Sequence, residues 1–300
     1  MKPLVTLFSA PKPFDREHIA MIQRNAIRSW LALGAEVEVL LIGDEPGLAE
    51  VAAELGVRHL PEVARNEHGT PLVSSIFALA REAASAPYLC YLNGDIVLLP
   101  DFVDAIRAVT TQTPEGFLMV GRRWDVDITA PLDFGAADWE DRLRAEVAAR
   151  GRLHSPFGID YFVFPKGAFA DMPPFAVGRA GWDNWMIYHA REQGWKVIDA
   201  TEATTVIHQN HDYAHLPGGQ PHYRLEESQE NVRLAGGRSH MFSIWEADYR
   251  LANGRVERLF RPHVVLLRRI ELGLQRRGFP RSRWKQWVLK AVQFALRRLA

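Results

Sequence analysis

Three short groups of residues carry the side chains of this chain that are best suited to chemistry. The first is Asn93-Gly94-Asp95, the second surrounds Asp183, and the third holds His208 and His211. Carboxylate oxygens and imidazole nitrogens are ligands for divalent cations, and a carboxylate can also take a proton from a hydroxyl group. Together the groups indicate a site that binds a cation or an anionic ligand and moves a proton.

The elements expected around these groups place them at strand ends and at a helix start. The apolar run 87–92 has no polar face, which predicts a buried strand that stops at the Asn-Gly turn before Asp95. His208 directly follows another predicted strand, and Asp183 opens a predicted helix. In open α/β sheets ligands bind where strands end, although a plain turn or capping role for Asp95 stays open.

Strand and helix patterns alternate along most of the chain, which predicts an α/β fold built from βαβ units. The predicted strands are 4–8, 36–42, 57–60, 87–92, 117–121, 159–164, 195–198 and 204–207. The predicted helices are 15–33, capped by Asp15, and then 48–55, 71–85, 101–109, 136–150 and 182–193.

The order of these groups resembles that of the GT-A glycosyltransferases, in particular the family 2-like members. The resemblance covers about residues 4–215 and depends on the acidic motif, the acidic helix start and the strand that ends in histidine. It implies a GT-A-like, Rossmann-like domain with a mixed, mostly parallel sheet flanked by helices. It also implies transfer of a hexosyl group from a nucleotide-sugar donor to a hydroxyl group of a glycan or a lipid-linked acceptor.

The resemblance gives the acidic motif and the histidines a role in holding the donor diphosphate. In that family the last aspartate of an Asp-X-Asp motif binds Mn²⁺ or Mg²⁺, and a later histidine completes the site. Asp95, His208 and His211 match these positions, whereas Asn93 replaces the first aspartate. An amide is a weaker ligand for a hard cation. Because some family members use positive side chains instead of a metal, both forms of the site stay open.

Asp183 matches the position of the general base in inverting members of the family. A carboxylate at a helix start is expected to have a lowered pKa, because the helix N-terminus favours the ionised form. The alternative is that Asp183 only caps the helix. The stereochemical outcome, inversion or retention, also stays open.

The family pattern further suggests where the donor and acceptor would be contacted. The candidate donor contacts follow predicted strands or precede a helix, and they are Ser9, Ala10, Pro11, Asp44, Glu45, Arg65, Asn66, Asn93 and Gly94. Four tryptophans offer faces that stack on sugar rings or that pack in the core, namely Trp124, Trp139, Trp182 and Trp185. The loop-like stretch 213–231 is expected to close over the donor.

The charge distribution divides the chain into an expected domain, 1–254, and a basic tail, 255–300. The tail carries 13 of the 36 Lys and Arg residues but only 2 of the 36 Asp and Glu residues. Its stretch 283–299 predicts an amphipathic helix with one apolar face made of Trp284, Trp287, Val288, Ala291, Val292, Ala295 and Leu299. Such a helix either lies on an anionic membrane surface or packs on the domain.

Composition narrows the setting and the alternative functions. The single cysteine, Cys90, excludes an internal disulfide, and no secretory leader or 18-residue apolar run is visible. We therefore expect a cytoplasmic protein, peripheral at the inner membrane face, that builds a surface polysaccharide or another glycan. A sugar-1-phosphate nucleotidyltransferase is disfavoured because the loop 9–13 lacks glycine. A non-catalytic sugar-nucleotide-binding module stays open, and nucleic acid is not an expected partner.

Overall fold

The structure is a computed structural model that describes residues 2–211, 225–275 and 282–299. Its strands are β1 (Val5–Ser9), β2 (Val37–Ile42), β3 (Arg58–Leu60), β4 (Tyr88–Leu92), β5 (Ile96–Leu98), β6 (Phe117–Val120), β7 (Trp124–Val126), β8 (Arg152–Leu153), β9 (Tyr161–Pro165), β10 (Lys196–Asp199), β11 (Val206–Gln209), β12 (Tyr249–Ala252) and β13 (Arg255–Arg258). Its helices are α1 (Glu17–Ala32), α2 (Leu48–Leu55), α3 (Val73–Ala83), α4 (Asp101–Gln112), α5 (Trp139–Arg150), α6 (Trp182–Glu192), α7 (Glu226–Leu234), α8 (Pro262–Gln275) and α9 (Arg283–Leu299).

A nine-stranded mixed sheet forms the centre of the molecule, in the order β13-β12-β10-β6-β9-β4-β1-β2-β3. The neighbours β1, β2, β3 and β4 are parallel, whereas β9 runs antiparallel to both β4 and β6. The carboxyl ends of β1, β2 and β4 therefore meet at one edge of the sheet. The first residue of β9 lies at that same edge, because β9 runs the other way.

Hydrophobic clusters cover both faces of this sheet. In β4, Leu89 and Tyr91 pack into one cluster, and Cys90 and Leu92 pack into the other. Alternate side chains of a strand point to opposite faces, so a strand without polar residues needs apolar neighbours on both sides. The sheet is thus covered by helices on each face, and the predicted buried strand before Asp95 is confirmed.

A second, four-stranded sheet has the order β5-β11-β7-β8. Its register places His208 of β11 between Ile96 of β5 and Asp125 of β7. The strand β5 is formed by the three apolar residues that directly follow Asp95. The sequence patterns did not predict β5, β7 or β8, because strands of two or three residues carry too little periodicity to be recognised.

The predicted strands and helices agree with the structure to within a few residues, whereas α7, α8, β12 and β13 were not predicted. The proposed capping of α1 by Asp15 is wrong, because Arg16 occupies the N-cap position and makes no side-chain capping bond. The sheet also continues past residue 254, since β13 pairs antiparallel with β12. We therefore propose that the C-terminal extension begins after Arg258.

The extension consists of α8 and α9, which pack together against Trp245 through the buried residues Val264, Val292 and Leu296. Arg268 of α8 joins that helix to the body, since its Nε lies 2.5 Å from Glu246 Oε1. Its Nη1 also pairs at 2.6 Å with Glu271 Oε2 of the same helix. Among the helices that the structure describes, not one combines the length and the apolar character needed to cross a bilayer.

Candidate active site

A cleft of about 640 Å³ opens at the edge of the large sheet where β1, β2 and β4 end. The three groups singled out in the sequence meet in this cleft, which is lined by Asp95, Asp183, His208 and His211 among others. They arrive from different elements: the turn after β4, the start of α6 and the end of β11. The structure therefore brings the three groups together in one cleft, as their order along the sequence predicted.

Asp95 lies at the centre of a cluster that could hold a metal ion. Its Oδ2 lies 3.1 Å from His211 Nε2, and its Oδ1 lies 4.0 Å from His208 Nε2. One ligand atom from each of the three side chains falls within 4.8 Å of the others. Burial by itself would raise the pKa of Asp95, but the Lys12 ammonium and the His211 hydrogen bond hold that pKa well below its usual range.

One buried atom in the cluster supports its fit to a cation: Asp95 Oδ1 has no hydrogen-bond partner within the described part of the chain. His208 turns its Nε2 toward Asp95, and its Nδ1 faces Asp125 Oδ1 at 3.4 Å. A carboxylate therefore lies behind the ring, as it commonly does behind metal-binding histidines. One carboxylate with two imidazoles suits Mn²⁺ better than Mg²⁺, which prefers oxygen ligands throughout.

Asn93 and Gly94 shape the turn that presents Asp95. The Asn93 Nδ2 donates to Asp160 Oδ1 at 2.6 Å, so this amide is engaged with protein rather than directed at a sugar hydroxyl group. A Cβ on Gly94 would lie 3.0 Å from Gln23 Oε1 and 3.3 Å from Pro11 Cα. Gly94 thus lets the turn approach α1 and the loop after β1 closely.

A network of charged residues beside this turn was not predicted from the sequence. The buried Arg123 pairs with Asp160 and, at 2.9 Å, with Asp125 Oδ1. His154 Nδ1 lies 2.7 Å from Asp125 Oδ2. Burial would lower the pKa of Arg123, but the two carboxylates raise it above its ordinary value. The network joins the support of His208 to the Asn93-Gly94-Asp95 turn.

Asp183 lies in the first turn of α6, at the second helical position rather than at the N-cap, which is Gly181. The Gly181 N–H donates to Asp183 Oδ1 at 3.2 Å. The expected lowering of its pKa is wrong, because burial raises the pKa of Asp183 to about 6. The charge of Asp160 adds to this increase, whereas hydrogen bonds from nearby backbone N–H groups oppose it. A carboxylate with this pKa is ionised at neutral pH but accepts a proton more readily than an exposed aspartate.

The predicted donor contacts divide into two sets. Ala10, Pro11, Glu45 and Arg65 line the cleft together with Asn93 and Gly94, whereas Ser9, Asp44 and Asn66 lie outside its lining. Ser9 is buried at the end of β1.

Arg65 and Asn66 make protein contacts that the sequence did not reveal. Arg65 forms ion pairs with Asp44 and with Glu45, the latter at 3.0 Å, so two carboxylates already engage the guanidinium expected at a phosphate. Asn66 Nδ2 donates to Glu227 Oε1 at 2.8 Å.

On the expected acceptor side, Trp182 is the one of the four tryptophans found in the cleft lining. It packs edge-on against Tyr91, with the ring centroids 5.0 Å apart. Trp185 is buried, and Trp124 and Trp139 pack against a separate hydrophobic cluster, so core packing accounts for these three. Of the segment 213–231 expected to be a loop that closes over the donor, residues 213–224 lie outside the described residues. The expected loop is wrong for 226–231, because these residues belong to α7.

Comparison with known proteins identifies the fold. No protein-family model matches the chain, and no curated protein sequence matches it. The chain is similar to a solved structure of S. aureus TarS residues 1–349 in complex with UDP-GlcNAc, with a TM-score of 0.53 and 12% identity over 96% of this chain and 79% of that one. A second structure, TarS 1–349 in complex with UDP, has a TM-score of 0.50 and 11% identity over 90% of this chain and 69% of that one.

These likenesses confirm the fold class predicted from the sequence. The chain has a GT-A-like fold, the fold of nucleotide-sugar glycosyltransferases, with a mixed and mostly parallel sheet flanked by helices. Its cleft lies at the sheet edge where α/β proteins bind ligands.

Proposed function

We propose that the protein is a glycosyltransferase that moves a hexosyl group from a nucleotide-sugar donor to a hydroxyl group of a glycan or a lipid-linked acceptor. The observation that carries the proposal is the meeting in one cleft of Asp95, its two histidines and Asp183. The fold shared with a structure that holds UDP-GlcNAc supports it.

At the donor end, the diphosphate would lie against Asp95, His208 and His211. A divalent cation held by these side chains would act as a Lewis acid and offset the charge that develops on the diphosphate oxygens. Mn²⁺ is the cation we propose, given the two imidazoles. The contact of Asp125 behind His208 would fix the orientation of that ring.

At the acceptor end, Asp183 would serve as the general base of an inverting transfer. As the acceptor oxygen attacks the anomeric carbon, Asp183 takes the hydroxyl proton. The bond from that carbon to the diphosphate oxygen breaks, and its electron pair leaves with the nucleoside diphosphate. A base with a pKa of about 6 is well matched to this step near neutral pH.

We also propose that the protein works in the cytoplasm, bound peripherally to an anionic membrane face where a surface polysaccharide or another glycan is assembled. The exposure of Trp284 (64%) and Trp287 (73%) on the basic helix α9 supports this location. Aromatic side chains beside Lys and Arg suit the interface of an anionic bilayer.

Donor binding is the direct test of the proposed function. We expect calorimetry with UDP-, GDP- and CMP-sugars in the presence of Mn²⁺ to show one class of donor that binds. Asp95→Asn should weaken that binding at least about tenfold, because it removes a charged ligand. Asp104→Asn, on the exposed face of α4, is the matched control and should bind normally. Absence of binding by every donor, with and without Mn²⁺, would contradict the proposal.

A further inference from the structure

A lysine stands where a cation would be expected in the donor site. Lys12 Nζ lies 3.1 Å from Asp95 Oδ2 and 2.9 Å from His211 Nε2, so it contacts two of the three candidate metal ligands. The third, His208, has its Nε2 4.0 Å from the other Asp95 oxygen, Oδ1. The Lys12 ammonium therefore engages a carboxylate and an imidazole that a metal ion at this cluster would also use.

The backbone holds Lys12 firmly in this place. Its N–H donates to Gln23 Oε1 at 2.7 Å, and its carbonyl accepts from Gln23 Nε2 at 2.9 Å. Pro11 and Pro13 flank Lys12, and the ring of each proline restricts that proline's φ angle. The Lys12 side chain is 36% exposed and borders the cleft, whereas Asp95 is almost fully buried. The loop is thus fixed, and the side chain has room to turn.

We propose that Lys12 and a divalent cation alternate on Asp95. Without the cation, the ammonium neutralises the buried carboxylate and bonds to His211. A cation that takes these ligands displaces the ammonium, because the two positive charges repel strongly at ligand distance in a partly buried site. The freed ammonium then reaches the donor diphosphate, a step that rests on the proposed function. Lys12 is accordingly a donor-positioning residue and an internal competitor of the metal.

The replacement of the usual first aspartate by Asn93 is consistent with this arrangement. Asn93 is engaged with Asp160, so Asp95 is the carboxylate that the motif offers to a cation. One buried carboxylate is balanced by a single ammonium charge, whereas a divalent cation needs further anionic ligands such as a diphosphate. We therefore expect the cation to bind weakly alone and more tightly with the nucleotide.

Titration with Mn²⁺ alone tests the competition without any donor. Free Mn²⁺ would be followed by electron paramagnetic resonance in the wild type, Lys12→Met and the exposed control Lys290→Met. We expect Lys12→Met to bind Mn²⁺ about tenfold more tightly than the wild type, because the positive charge that competes with the cation at Asp95 and His211 is removed. Lys290→Met should match the wild type. Equal or weaker Mn²⁺ binding by Lys12→Met, or no binding by either protein, would overturn the proposal.

Two further measurements separate this proposal from neighbouring explanations. In thermal unfolding, Mn²⁺ should raise the Tm of Lys12→Met more than that of the wild type, and Lys12→Arg, which keeps the charge, should show no gain in Mn²⁺ affinity. At a Mn²⁺ concentration that saturates both proteins, UDP should bind Lys12→Met about tenfold more weakly than the wild type, because the ammonium that the cation frees is missing. If the Mn²⁺ result holds but no protein binds UDP or another nucleoside diphosphate, the competition stands and the transferase function fails.

Discussion

The properties of Asp183 show how burial decides the chemistry of a single residue. Its place in the first turn of α6 favours the ionised form, and Gly181 N–H bonds to it. Burial acts in the opposite direction and is the larger effect, so the pKa rises to about 6. The same carboxylate on an exposed helix start would be a weaker base.

The raised pKa of Asp183 predicts the pH dependence of transfer. A general base works in its ionised form, so kcat/KM should fall as the pH is lowered through about 6 and level off above it. Asp183→Asn should reduce kcat by roughly 10²- to 10⁴-fold, the usual contribution of a general base. The measurement is the initial rate of transfer against pH in both proteins.

The control for this prediction is the thermal stability of the Asp183→Asn protein, which shows whether the variant is folded. Because the folded state favours the neutral form of Asp183, its stabilising effect is present at low pH and is lost as the pH rises through about 6. The neutral Asp183→Asn protein should therefore unfold at pH 8 at a temperature no lower than the wild type. An active Asp183→Asn variant with an unchanged pH profile would exclude Asp183 as the base.

For single residues, the sequence predicted where the site residues lie in the fold better than it predicted which side chains they contact. Asp95, His208 and His211 could be recognised because each lies within a few residues of the end of a predicted apolar strand. Lys12 and Asp160 were missed as site residues because their roles depend on contacts with distant segments, Lys12 with Asp95 and Asp160 with Asn93. No local pattern encodes such a contact, and burial, which sets the pKa of Asp183, is equally non-local.

At the scale of elements, α9 shows that predicted bounds do not fix which face is buried. The helix forms over 283–299 as predicted, but Leu289, Val292 and Leu296 face the protein while Trp284 and Trp287 are exposed. Packing on α8 and Trp245 selects the buried face. The helix therefore both packs on the domain and presents tryptophan, and the two sequence interpretations are compatible.

The exposed tryptophans predict membrane binding through α9. In sedimentation with vesicles of phosphatidylglycerol and phosphatidylcholine, Trp284→Ser combined with Trp287→Ser should bind about tenfold more weakly than the wild type, because apolar insertion is lost. Added salt should weaken the binding that remains, since it screens the basic residues.

The matched control is Leu31→Ser, which removes an exposed apolar side chain from α1 on the body. It should bind vesicles as the wild type does. Equal binding by the tryptophan variant, or no binding by the wild type, would remove α9 as a membrane contact.

The direction in which a strand runs could not be predicted from the sequence patterns. The patterns located β9 to within two residues but not its direction, and its antiparallel pairing with β4 brings Asp160 to the cleft. A parallel β9 would carry Asp160 to the opposite edge. Strand direction depends on the path of the whole chain, which local periodicity does not report.

At the scale of the whole molecule, the sheet edge explains how distant segments build one site. The ends of parallel β1 and β4 bring Lys12 to Asp95, and the small sheet holds His208 beside Asp125 and within reach of Asp95. The start of α6 adds Asp183 to the lining of the same cleft. The fold alone could have been expected from the βαβ pattern, whereas the small sheet could not.

A crystal structure of the protein with Mn²⁺ and UDP, with anomalous data collected for manganese, tests the central claim most directly. We expect a manganese peak about 2.0–2.3 Å from an Asp95 oxygen and from at least one nitrogen of His208 or His211, with the UDP diphosphate on the same ion and facing Asp183. A diphosphate bound elsewhere, with Asp95 and His208 sharing no ligand, would contradict the assignment of this cleft as the donor site.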